Sequence, residues 1–164
     1  MMKKTMVCVI LFVSILGSLM HFFYDWSGQN PIVGLFAPVN ESVWEHIKLL
    51  FFPMLLYLLL FCRGRLRENP RFLSGYLYGT LAGSLLIPIL FYAYTAFLGH
   101  SVLAIDLAIY FISVLFSFVV AGSLATGEKQ KQGIFLPLAL CLILGVCFFV
   151  FTYFPPNLPL FQTP

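Results

Sequence analysis

Five long stretches of apolar side chains, parted by short polar or basic runs, leave this chain few ways to fold. They run from Thr5 to Tyr24, Val43 to Cys62, Phe72 to Leu98, Ser101 to Ala125 and Gly133 to Phe154. Each reaches about the 20 residues that an α-helix needs to cross the hydrocarbon of a bilayer. None alternates polar with apolar residues, as a membrane barrel strand would. With no water to satisfy backbone groups inside a bilayer, a helix is the spanning form that remains. A soluble fold fails on polar supply: 9% of residues are charged and 61% hydrophobic, too little polar surface to cover a core. The expected fold is therefore an all-α polytopic membrane bundle of about five transmembrane helices, one domain over residues 1–164.

The charges orient it. Lys3 and Lys4 precede the first span; Arg63, Arg65, Arg67 and Arg71 separate the second from the third; Lys129 and Lys131 separate the fourth from the fifth. Five crossings place all three runs on one face, and the positive-inside rule makes that face cytoplasmic. The N-terminus is then cytoplasmic and the C-terminus extracytoplasmic, in the plasma (cytoplasmic) membrane. The net charge of +3 does not point to nucleic acid, because a binding face would gather its basic residues and interleave aromatics. Cys8, Cys62, Cys141 and Cys147 lie in or at the end of apolar stretches without metal-type spacing; they read as small hydrophobes. The N-terminus also has the charged start and apolar core of a signal peptide. Its apolar run continues through Met20 to Tyr24 with only a weak small-x-small site, so an uncleaved first span is expected, with cleavage near His21 as the alternative.

In lipid, helices gain little by burying apolar area against each other, so close backbone approach matters more. Gly75, Gly79 and Gly83 form one small-residue stripe, and Ser113, Ser117, Ala121 and Ala125 form another. These two stripes are expected to meet. Pro53 and Pro88 each remove a backbone donor within a span, freeing carbonyls near Leu49 and Ser84 for other partners.

The chemistry gathers at the opposite face. NESVWEH, from Asn40 to His46, holds two carboxylates, an imidazole and an indole. Ser42 with Glu45 three residues on matches a capping box, and Asn40 is an alternative cap. Trp44 suits an interfacial anchor. At 100° per residue, Glu41, Glu45 and Lys48 share one side of the helix and His46 points to the other. Two like charges on adjacent turns then call for a cation, from Lys48 or from a bound ion. His21 and Asp25, four apart at the end of span one, form a carboxylate–imidazole pair of the kind found in metal sites and proton relays. His100 sits in the next turn, and Asp106 is the only Asp, Glu, Lys or Arg between Phe72 and Gly127. An unpaired carboxylate in a span is costly, and Lys48 is its expected partner.

The run HFFYDWSGQNPIVGLFAPVNESVWEHIKLLFFP (His21 to Pro53) and the tail PPNLPLF (Pro155 to Phe161) resemble a family of small bacterial multi-pass membrane proteins classed as a domain of unknown function. Its hallmark is a loop close to SPVNESVWEHLK before an apolar span. The resemblance implies the topology and the placement of a site, with no activity attached. That family's pattern carries an acidic residue soon after the final Leu-Phe, where Gln162, Thr163 and Pro164 stand here.

Three functions follow as expectations. The first is an outward-facing polar site for cation binding or acid–base chemistry. Its metal ligands would be His21, Asp25, Glu41, Glu45 and His100, with a divalent ion such as zinc suiting imidazole and carboxylate. Glu41, Glu45, His46 and Lys48 would be the catalytic candidates, and Asp25, Asn40, Trp44 and Asp106 would contact ligand. The second is a small transporter or channel subunit, supported by the interrupted spans and Asp106. The third is a non-catalytic factor whose loop and proline-rich tail bind lipid or a membrane-protein partner, with a homo-oligomer as a further option; that tail would otherwise fold over its own NESVWEH loop.

Overall fold

The computed structural model describes residues 2–62, 69–126 and 133–164, with side chains described from residue 6 onward. Among the described residues, six α-helices and a closing 3-10 turn follow one another: α1 (Met2–Trp26), α2 (Pro31–Gly34), α3 (Val43–Phe61), α4 (Pro70–Leu98), α5 (Leu103–Thr126), α6 (Phe135–Tyr153) and Pro159–Phe161. All but the short α2 are long and apolar enough to cross a membrane, and no strand occurs among the described residues. The expected sidedness rests on Arg63, Arg65, Arg67, Lys129 and Lys131, which lie outside the described residues, and on the side chains of Lys3 and Lys4, which do so too.

Local chemistry sets the helix ends. Asn30 caps α2 by accepting from the Ile32 amide at 2.9 Å, with Pro31 in the first turn. Asn69 does the same for α4 through the Phe72 amide at 3.1 Å, again ahead of a proline. Proline is tolerated there because its missing N–H would have had no helical partner. Gly99 closes α4 at φ 76°, a left-handed turn that suits a residue without Cβ.

α4 and α5 form the main pairing of the bundle, along the two stripes of small residues. A Cβ at Gly79 would overlap the Ser117 carbonyl and come within 2.9 Å of the Ala121 Cβ. One at Gly75 would lie 2.9 Å from the Ala121 carbonyl and 3.0 Å from the Ala125 amide nitrogen. The backbones approach too closely for any larger side chain. α3 is the most buried span and packs against α1, α4, α5 and α6. Its Pro53 leaves the Leu49 carbonyl without a helical donor. The Tyr110 hydroxyl of α5 reaches that carbonyl at 3.4 Å, together with the Val13 and Ser14 carbonyls of α1 at 3.1 and 3.3 Å. Gly17 leaves the space for it, since a Cβ there would overlap the hydroxyl. One phenol thus joins three spans and answers the vacancy made by the proline.

A candidate metal centre beside a buried ion pair

Ser42 is the N-cap of α3, with extended backbone at φ −70° and ψ 152°, and its hydroxyl accepts from the Glu45 amide at 3.4 Å. The Glu45 carboxylate does not return to Ser42, as a reciprocal box would have it. It reaches further back to the Val39 amide at 3.0 Å, while Asn40 Oδ1 accepts from the Ser42 amide at 2.9 Å. This arrangement ends the helix between Glu41 and Glu45 and sends the two carboxylates to different places. The expectation that they repel on one helical side is corrected, because Glu41 is not on the helix.

Glu45 is 1% exposed and Lys48 0%. Lys48 Nζ donates to Glu45 Oε2 at 2.7 Å, to the Gly34 carbonyl at 2.9 Å and to Thr152 Oγ1 of α6. Thr152 lies 3.1 Å from the other Glu45 oxygen and 2.7 Å from the Phe148 carbonyl. Lys48 therefore pairs with Glu45 and not with Asp106, as a lysine one turn along the same helix can do at no extra loop cost. Every strong valence of the pair is met, which is what a buried charge requires to be tolerated. All three Lys48 donors and both Glu45 oxygens are engaged by protein groups.

Glu41, 65% exposed on its side chain, turns the other way. Its Oε2 lies 3.4 Å from Nε2 of His21 and 3.4 Å from Nε2 of His46. All three ligand atoms lie within 4.8 Å of one another. His46 Nδ1 is 2.9 Å from the Ser42 carbonyl. A carbonyl only accepts, so a neutral His46 carries its proton on Nδ1 and keeps the Nε2 lone pair as a ligand. That lone pair faces a carboxylate oxygen, and a proton or a cation has to stand between them. Ligands about 2.0–2.1 Å from a tetrahedral zinc stand about 3.4 Å apart, which is the separation seen on both edges. Each histidine remains about one-third exposed, so the site is open to a further ligand.

The other candidates fall outside this triad. Asp25 is exposed and joins no ion pair among the described residues; Glu41 takes the place expected for it beside His21. His100 is exposed, with Nδ1 at 3.0 Å from the Leu98 carbonyl, and borders a separate depression. Trp44 is buried, with Phe148 and Phe161 ring centroids at 4.8 and 4.9 Å. Phe161 belongs to the tail, which thus lies over the start of α3. Asp106 accepts from the Tyr94 hydroxyl at 2.5 Å, and that hydroxyl accepts from the Val102 amide at 3.1 Å. Asp106 does share a cleft of about 560 Å³ with His21, Glu41 and His46.

Two functional side chains escaped the sequence reading. Thr152 is an aliphatic hydroxyl near the end of an otherwise hydrocarbon span, and such a group calls for a partner. Nothing in the sequence separates Tyr94, which bonds Asp106, from its neighbour Tyr92. No curated protein and no solved structure matches the chain. The family described as "family of unknown function (DUF6512)" matches over residues 1–164, and the chain belongs to it.

Proposed function

We propose that this is a membrane protein that binds a divalent metal ion, zinc being the best fit, through His21, Glu41 and His46. The observation that carries the reading is the His46 ring: Nδ1 lies 2.9 Å from the Ser42 carbonyl, which suits the tautomer that ligates through Nε2, and Nε2 lies 3.4 Å from Glu41, the edge length of a zinc tetrahedron. A closed structural site would use four protein ligands; three ligands and an open side suit a site that exchanges a bound water or a substrate group. The basic runs in the sequence support an extracytoplasmic position, in the plasma membrane of a bacterium. Glu45, Lys48 and Thr152 serve as the frame that holds the Glu41 loop.

The test is zinc titration of the full chain in detergent after stripping with EDTA. One equivalent should bind, and Glu41→Gln or His46→Ala should each remove it, while Asp25→Asn should leave it. Acidification should release the ion, since each imidazole must be neutral to ligate. Absence of stoichiometric zinc, or binding indifferent to both substitutions, overturns the reading.

A further inference from the structure

The cleft beside the triad has a mixed lining. Its ionisable groups near neutral pH are His21, Glu41, His46 and Asp106, joined by the hydroxyls of Ser18, Ser101 and Tyr110. The hydrocarbon part includes Phe22, Leu103 and Leu107, which are 50%, 75% and 48% exposed and lie on α1 and α5 within the membrane-spanning lengths. The open side of the cleft therefore faces acyl chains wherever those helices cross a bilayer. Asp106 meets no cation among the described residues; Tyr94 occupies Oδ1, and Oδ2 carries no hydrogen bond there. A divalent ion with Glu41 leaves a net positive wall, and Asp106 leaves a negative one. The complementary guest carries an anion and a cation on one head, and a hydrocarbon chain behind it.

We propose that the cleft binds a membrane phospholipid with a primary-amine headgroup. Its phosphate faces the metal triad, its ammonium donates to Asp106, and an acyl chain leaves between α1 and α5. A primary ammonium can donate to a carboxylate, whereas a trimethylammonium cannot. This inference rests on the metal reading above.

Native mass spectrometry of the full chain tests it, with zinc loading or EDTA stripping and equimolar dioleoyl phosphatidylethanolamine and phosphatidylcholine. Phosphatidylethanolamine should be retained about tenfold over phosphatidylcholine, the scale of one charge-assisted hydrogen bond. Asp106→Asn should erase that preference, EDTA should lower retention of both lipids, and free phosphoethanolamine should displace neither. Zinc occupancy is read in the same spectra, which separates the two failures. Zinc bound while both lipids are retained equally, or retention indifferent to EDTA, or displacement by phosphoethanolamine, overturns the lipid assignment alone. No zinc at all overturns the metal reading and this inference with it. The EDTA arm uses the unaltered chain, so a folding defect in the variant does not decide the result.

Discussion

Glu41 and Glu45 are the same residue type, four positions apart, and the fold treats them as opposites. Glu45 enters the helix, is withdrawn from solvent, and spends both oxygens on Lys48, Thr152 and the Val39 amide. Glu41 stays outside the N-cap, keeps most of its surface, and meets only two imidazoles at ion-pair distance. The pair separates two meanings of a charge near a membrane. A buried carboxylate engaged on both oxygens by protein acts as a fastener, and an exposed one beside two imidazoles keeps acceptor positions free for another partner. Burial tells them apart more reliably than residue identity does.

The sharpest way to break the comparison is to remove one half of the buried pair. Glu45→Ala or Lys48→Met should each cost about 3–5 kcal/mol by stranding the other charge. Thermal unfolding in detergent should show it, with the double variant Glu45→Leu/Lys48→Leu more stable than either single one. Equal stability of singles and double would deny that the two charges depend on each other. Next in size is Gly79→Leu, which drives a side chain into the α5 backbone; a loss of about 1–3 kcal/mol is expected, in the same assay, without change in zinc stoichiometry. Thr152→Val should cost about 1–2 kcal/mol, because it removes a hydroxyl that both charges use. Smallest in stability is Glu41→Gln, expected within about 0.5 kcal/mol of the parent. Its zinc affinity should nevertheless fall by more than about a hundredfold, beyond the loss usual for an outer partner. A Glu41→Gln protein that unfolds early but keeps its zinc would invert the contrast.

How far the sequence was legible follows from which interactions are local. The spans are visible because hydrocarbon length alone decides them. The glycine and serine stripes are visible because a four-residue repeat is a geometric statement. Ser42 was readable as a cap from its spacing to Glu45. The site was harder. Continuing the helical wheel back through Glu41 put His46 on the far side, and only the extended backbone of Ser42 frees Glu41 to swing round to it. His21 was seen, but matched to Asp25, its neighbour along the chain, because the folding of α1 beside α3 is not written in any local pattern. Lys48 is expected both beside the glutamates of its own helix and opposite Asp106, and the pairing that forms is the local one, with Glu45. Thr152 lies 104 residues from Lys48, and no periodicity links them.

The reach of Thr152 bears on how such a protein matures. Lys48 and Glu45 arrive early in synthesis, with the segment they brace from Gly34 to Val39, yet the last hydroxyl they need arrives with α6. Until that final span inserts, two charges wait in the bundle with an incomplete set of contacts, and the segment leading to Glu41 hangs from an unfinished clasp. The clasp between Glu45, Lys48 and the segment before Glu41 is thereby closed only once the last span is in place.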